Sequence, residues 1–323
     1  MSNLIFAVLL AILLICYWIL LYDTNRFVIT IVPLSDPRIR RSCRAVVVSD
    51  LHDKRFGRSN EKLLEEIRAE EPDLILVAGD ILTAHPHEKL ITAETFLTEL
   101  VKIAPVCYGN GNHEHRIKLY PETYGDLAGD YAKVLAKAGI EPLVNASEYL
   151  EEYGIRVWGS EIDKHYYKRL TVPKMDPSYL PGLLGEPDPS AYNILLAHNP
   201  DYFPEYAAWK ADLVLSGHVH GGILRVPFYE KNPEFRGPKK NGPCWRLKGM
   251  LSPNVRFFPR YDGGRFEKDG TVMLVSRGLG THTIPFRFLN PGELIVLELT
   301  PESDLQKAGD LGMMSKAKKT ASE

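Results

Sequence analysis

Residues 4–21 are eighteen consecutive apolar or aromatic positions. At 1.5 Å per residue a helix over that run covers most of a bilayer core, so residues 1–22 are expected to form a membrane anchor. A cleaved signal peptide fits less well, because no basic residue precedes the run, the run is long, and no Ala-x-Ala site follows. Tyr17, Trp18 and Tyr22 gather at its far end, where amphipathic rings suit an interface. Further on, strand and helix patterns alternate. Residues 74–78 of Asp73-Leu-Ile-Leu-Val-Ala-Gly-Asp80 are five apolar positions in a row, the signature of a strand buried on both faces. Similar short runs predict strands at 45–49, 105–108, 156–159, 194–197, 213–216, 223–226, 272–276 and 294–297. Apolar residues at three- and four-residue spacing predict helices at 59–70, with Leu63, Leu64 and Ile67 on one face, at 87–102, and at 126–138, where Gly139 supplies a stop. Many strands with few helices late in the chain point to an α/β fold of two packed mixed sheets flanked by helices.

Composition changes this picture little. About 280 residues between the anchor and the last twenty or so suffice for one large domain, and the net charge of −2 gives no support to a nucleic-acid surface. Cys16, Cys43, Cys107 and Cys244 lack C-x-x-C spacing, which argues against a disulfide framework and against a thiolate zinc site. Arg26, Arg38, Arg40, Arg41 and Arg44 follow the anchor, a bias that favours a domain on the cytoplasmic side. The expected division is therefore anchor 1–22, basic linker 23–44, a main domain 45–301, and a disordered tail 302–323 of low apolar content. No protein partner is inferred.

The polar residues that follow the strands carry the chemistry. Asp50 and His52 come after the first, Asp80 after the second, and Gly111-Asn112-His113-Glu114 after the third. Later strands end in His198-Asn199 and in Gly217-His218-Val219-His220. Any one of these is most simply a solvated turn. Five in register at one sheet edge are not, and they supply carboxylate, imidazole and amide with no thiolate, a donor set that suits Mn, Fe, Co or Zn better than Ca or Mg.

The order Asp-x-His, Gly-Asp, Gly-Asn-His-Glu, His, Gly-His-x-His resembles the calcineurin-like metallophosphoesterase superfamily over residues 45–300. The flanking Ala197-His-Asn-Pro-Asp201, Leu215-Ser-Gly-His218 and Ser276-Arg-Gly-Leu-Gly280 look like its bacterial branch of membrane-anchored or exported phosphoesterases, which includes pyrophosphohydrolases of UDP-diacylglucosamine. The resemblance implies an αββα sandwich and two divalent transition-metal ions. One would be held by Asp50, His52, Asp80 and His220, the other by Asp80, Asn112, His198 and His218, with Asp80 shared and His113 protonating the leaving group. Asn110, in Gly109-Asn-Gly-Asn112, competes on paper with Asn112. Asp80 is followed by Ile-Leu-Thr, without the Asp and Arg of the phosphoprotein-phosphatase branch, which leaves the orienting partner of His113 unnamed and disfavours a phosphoprotein substrate. Arg277 and His282 are candidates for substrate contact. His85, His87, His115 and His165 read as solvated. The stretch 228–268, with ten Lys or Arg against four Asp or Glu, reads as an irregular loop that could cap a phosphate site or touch anionic lipid.

The expectation is a membrane-anchored, dinuclear phosphohydrolase of a phosphodiester or pyrophosphate, on a phosphorylated small molecule or lipid. A UDP-2,3-diacylglucosamine pyrophosphohydrolase is the narrower alternative, and a catalytically silent, metal-stabilised binding protein the alternative of another class.

Overall fold

The structure is a computed structural model and describes residues 1–230, 244–252, 256–281 and 284–304. Helix α1 (Ser2–Thr24) takes up the long apolar run and is exposed along most of its length. Among its described side chains only Cys16, Ile19, Leu20, Asp23 and Thr24 are shielded, a stripe at helical spacing on the side that meets the rest of the chain.

In chain order the strands are β1 (Phe27–Asp36), β2 (Cys43–Val48), β3 (Leu74–Ala78), β4 (Val106–Gly109), β5 (Ala146–Leu150), β6 (Ile155–Ser160), β7 (Tyr192–Ala197), β8 (Leu213–Ser216), β9 (Leu224–Glu230), β10 (Cys244–Met250), β11 (Gly264–Lys268), β12 (Thr271–Val275) and β13 (Gly292–Pro301). The further helices are α2 (Glu61–Ala69), α3 (Ile91–Leu100), α4 (Asn112–Leu119), α5 (Pro121–Tyr124), α6 (Leu127–Ala138), α7 (Tyr179–Leu184) and α8 (Phe203–Ala208). One sheet has the order β1-β13-β2-β3-β4, the other β11-β12-β8-β7-β6-β5.

Side chains alternate across a strand, so β2 sends Ala45 and Val47 one way and Val46 and Val48 the other. Ala45, Val47, Leu74 and Leu76 meet Leu196 and Leu215 in a buried layer between the sheets. Val46, Val48, Ile75 and Val77 pack instead under Leu63 and Ile67 of α2 and Phe96 and Leu97 of α3. On the far side Leu195, Val214 and Met273 lie under Leu180, Phe203 and Tyr206. Both faces of each central strand are thus covered, which is why these strands read as unbroken apolar runs. The architecture is the expected one, two packed sheets flanked by helices.

Strands β2, β3 and β4 run parallel, as do β6, β7, β8 and β12. Their carboxyl ends bring Asp50, His52, Asp80, His198, His218 and His220 to one edge. Strand β13 runs antiparallel to β2 and parallel to β1, so β1 begins at this same edge.

The segment 23–44, expected as a linker, carries β1, which pairs along its whole length with β13. Pro33 reads against a strand, but an edge strand tolerates it because one side needs no ladder donor. The stretch expected to be irregular, 228–268, contains most of the antiparallel hairpin β9–β10 and all of β11. Of the expected tail, residues 305–323 lie outside the described residues.

Candidate metal centre

Each functional side chain sits one to four residues past a strand end, on a backbone that turns back sharply. Asp50, His52, Asp80, His218 and His220 all have φ between 46° and 69°. A left-handed turn costs a non-glycine residue about 1–2 kcal/mol, and it persists here because the packed strands beneath over-determine it.

Two turns are pressed together at the middle of the edge. A Cβ on Gly79, whose φ is 90°, would meet the Gly111 nitrogen at 2.4 Å, and one on Gly111 would meet Asp80 Oδ1 at 2.2 Å. No side chain fits between the Gly-Asp and Gly-Asn turns. Glu114 locks them: its Oε2 accepts the N–H groups of Asp80 and Gly111, both at 2.9 Å, and its Oε1 accepts the Ile81 N–H at 2.8 Å and the Tyr108 hydroxyl at 3.1 Å. Burial, then the nearby Asp80, push Glu114 up to about 7. Sequence reasoning placed Glu114 in the motif without a role. A Glu at the third helical position can reach back to the N-cap N–H, as Glu114 does to Gly111, and that spacing at the start of α4 could have supplied one.

Three side-chain triads converge: Asp50 with His52 and His220, Asp80 with His198 and His218, and, between them, Asp80 with His52 and His113. His198 Nε2 lies 2.9 Å from Asp80 Oδ2 and 3.7 Å from Asp50 Oδ1, so the triads adjoin. His52 Nε2 is 3.2 Å from His220 Nε2. The outer nitrogens explain the orientation. His198 Nδ1 is 2.7 Å from the Ala78 carbonyl and His220 Nδ1 is 3.0 Å from the Gly280 carbonyl. A carbonyl can only accept, so each Nδ1 carries a proton and each neutral ring turns its Nε2 lone pair inward.

Lone pairs facing carboxylates at these distances demand positive charge. Burial opposes a charge on His198, yet Asp80 and then Asp50 push it up to about 10. Burial likewise works against the Asp80 carboxylate, but His198 and His113 hold it well below the usual range, while burial lifts Asp50 to about 6. Asn112 Oδ1 is buried with no hydrogen-bond partner, an acceptor that a cation would satisfy. Asn110 is otherwise engaged, donating to Glu161 Oε2 at 2.6 Å. The donor set and the orphaned Asn112 oxygen fit a pair of divalent cations.

His113 has the opposite polarity. Its Nδ1 accepts the Ala84 backbone N–H at 2.7 Å, so the neutral ring carries its proton on Nε2. Ala84 therefore supplies the orienting partner that the sequence left unnamed. A cleft of ≈ 170 Å³ opens beside Asn112, His113 and His218, with Arg116, Lys164 and Arg169 among its walls. These three cations were missed. Arg116 is four residues after Asn112 on α4 and so shares its face, a readable signal, whereas Lys164 and Arg169 arrive from a loop before β7 that has none. His115, read as solvated, also lines this cleft. Arg277 does not: it is tied to Glu293 Oε1 at 3.0 Å and is largely buried. His282 lies outside the described residues.

Residues 43–222 match the family model described as calcineurin-like phosphoesterase. The metallophosphoesterase YkuE of Bacillus subtilis (strain 168) is 28% identical over 237 residues, 72% of this chain and 70% of its own. A metallophosphoesterase of Helicobacter pylori (strain J99 / ATCC 700824) is 25% identical over 84% of this chain, which spans only 63% of that relative's length. The UDP-2,3-diacylglucosamine pyrophosphatase LpxG of Chlamydia muridarum (strain MoPn / Nigg) is 23% identical over 299 residues, 79% of this chain and 82% of its own.

Proposed function

The chain belongs to the calcineurin-like phosphoesterase family of metal-dependent phosphoester hydrolases, and we propose that this member cleaves a phosphodiester or pyrophosphate on a membrane-associated substrate. Asp50, His52, Asp80 and His220 would hold one divalent cation, and Asp80, Asn112, His198 and His218 the other. Asp80 suits the shared position because its charge offsets the repulsion between two cations. When bound, the metals supply Lewis-acid charge for the phosphoryl oxygens and lower the pKa of the attacking water.

The observation that carries this reading is the pair of adjoining triads whose His198 and His220 rings are turned, by backbone carbonyls, to present Nε2. The chain's own residues do the rest. His113, beside the cleft, donates from Nε2 to the oxygen of the departing group. Arg116, Lys164 and Arg169 draw in an anionic substrate and bind a second phosphate or a diester's flanking group. The absence of Asp and Arg after Asp80 speaks against a phosphoprotein.

The hydrolase unit on this reading starts at Phe27 rather than at 45, because β1 completes the first sheet. The helix Asn3–Thr24, long and apolar enough to span, would be a membrane anchor, with the unit held at the cytoplasmic face by the Arg-rich segment that follows. A reporter active only in the cytoplasm, fused after Glu323, should then be bright; a dark one beside a bright exported reporter reverses the orientation. A second, narrower reading is a pyrophosphatase of UDP-2,3-diacylglucosamine, favoured by the likeness to LpxG together with the anchor and the basic cleft.

The test is hydrolysis by the full chain, loaded with Mn, Zn, Fe or Co, of 4-nitrophenyl phosphate, bis(4-nitrophenyl) phosphate, UDP-sugars and lipid-linked pyrophosphates. Diesters or pyrophosphates should be cleaved and chelation should stop it. Full metal loading with no hydrolysis of any class would make the chain a metal-stabilised binding protein instead.

A further inference from the structure

The anchor joins the hydrolase unit at its catalytic edge. Helix α1 ends at Thr24 and β1 begins at Phe27, so only Asn25 and Arg26 separate them, at most about 11 Å of chain. Strand β1 lies two strands from β2, about 10 Å from the line of Asp50 at 4.8 Å per strand. The last residue of α1 and the centre also share one neighbour. Arg287 donates its backbone N–H to Thr24 Oγ1, and its buried guanidinium donates to the carbonyls of Gly280 and His220. Lys54 fixes the junction further through Asn25 Oδ1 at 2.9 Å. The interface-type rings at the end of the anchor, Trp18 stacked on Tyr22, thus lie within two helical turns of this junction.

From this junction a crescent of exposed apolar side chains runs along the same edge. Phe286 and Leu289 lie on either side of Arg287 and Phe288, Leu247 follows on β10, then Phe257 and Phe258, and finally Leu170, next in the chain to Arg169 of the cleft wall. Hydrogen bonds tie the pieces together: Arg225 N–H to the Phe288 carbonyl, Leu251 N–H to the Phe257 carbonyl, and the Arg256 guanidinium to the carbonyls of Lys168 and Arg169. Leu170 is 79% exposed and Phe257 68%. Apolar patches of this kind, set among Lys and Arg, belong against a partner that is both oily and anionic.

We propose that this edge is a bilayer-facing surface. The crescent enters the acyl boundary of an anionic membrane, the exposed Lys168 and Arg169 meet its headgroups, and the substrate is a phosphate or pyrophosphate borne by a membrane lipid. The short, hydrogen-bonded junction leaves the anchored unit little freedom to turn this edge away. The substrate class rests on the hydrolase reading above; the orientation does not.

The orientation is tested on the full chain in nanodiscs of phosphatidylglycerol and phosphatidylcholine containing doxyl-labelled lipid. Cys16 and Cys244 are replaced by serine, and a bimane probe is placed by Leu170→Cys or Phe257→Cys, or by Glu71→Cys or Lys210→Cys before β3 and β8 at the opposite edge. Doxyl lipid should quench the first two probes by about half or more and the last two hardly at all, since an interfacial side chain sits within about 10 Å of the acyl boundary. Equal quenching at both edges, or none at Leu170 and Phe257, overturns the orientation. For the substrate class, Leu170→Asp with Phe257→Asp should lower hydrolysis of a lipid-linked pyrophosphate about 10-fold and leave soluble bis(4-nitrophenyl) phosphate within about 2-fold. Equal loss on both overturns the lipid assignment. A wild-type chain that hydrolyses neither sinks the hydrolase reading and the substrate class with it, while the quenching still decides the orientation.

Discussion

Replacing Gly79 by alanine tests whether the two central turns are as tightly apposed as they look. The added methyl would lie 2.4 Å from the Gly111 nitrogen and 2.5 Å from its Cα, both backbone atoms that cannot rotate away. Reaching ordinary contact moves the Asp80 turn about 1 Å from the Asn112 turn, a displacement that costs catalytic sites on the order of 100-fold. Stability should fall as well, by about 1–2 kcal/mol for a left-handed alanine and about 1–3 kcal/mol for the overpacking. A total of about 2–5 kcal/mol corresponds to a drop in melting temperature of roughly 5–15 °C for a unit of this size. Gly270→Ala separates the two contributions, because Gly270 has nearly the same φ, 87°, with no atom within 4 Å of its Cβ and no role in the site. The assay is thermal unfolding of both variants beside metal content and turnover. Gly79→Ala should be clearly the less stable, and it alone should lose metal and activity. Equal melting shifts for the two variants, with metal and turnover intact in both, would refute the apposition.

Asp80→Asn and His218→Ala should each abolish hydrolysis and reduce bound metal measured by elemental analysis, since each removes a ligand donor; full loading with retained activity would remove Asp80 from the shared position. Asn112→Ala should weaken metal binding at least about 10-fold, while Asn110→Ala, which breaks only the bond to Glu161, should stay active; the reverse pattern would move the ligand role to Asn110. His113→Ala should keep both metals yet slow turnover, more for alkoxide than for nitrophenolate leaving groups, and equal losses on both would rule out donation to the leaving oxygen. Arg38 holds Asp36 in a two-bond pair at 2.7 Å each and reaches Asp212 across the sheets. Burial raises Asp36, but Arg38 holds it below its ordinary value, so the stabilisation is present above about pH 4 and lost as pH falls through the depressed value. Arg38→Met should cost about 1 kcal/mol at pH 7 after solvent screening, and the gap between its urea midpoint and the wild type's should narrow as pH falls below about 4; a constant gap would refute the linkage.

The sequence by itself determined the layered architecture, because strands covered on both faces must be apolar throughout and helices over them must be apolar on one stripe. Residues 74–78 and Leu63, Leu64 and Ile67 could hardly have been read otherwise. It also determined that Asp50, His52, Asp80, Asn112, His198, His218 and His220 would share one edge, since the carboxyl ends of parallel strands point the same way. Other features depended on partners distant in the chain. Strand β1 exists because β13, some 265 residues later, offers it a ladder, and Pro33 hides it from local pattern reading. Lys164 and Arg169 reach the cleft on a loop with no periodicity, and the Nε2 proton of His113 is fixed by the Ala84 backbone, which no side-chain motif encodes. It takes the folded chain to show that Asn110 is spent on Glu161, that Arg277 is spent on Glu293, and that helix α1 meets the sheet at the edge that carries Asp50 and Asp80. Each turns on which groups the fold brings within 3 Å, and hydrophobic periodicity carries no record of that.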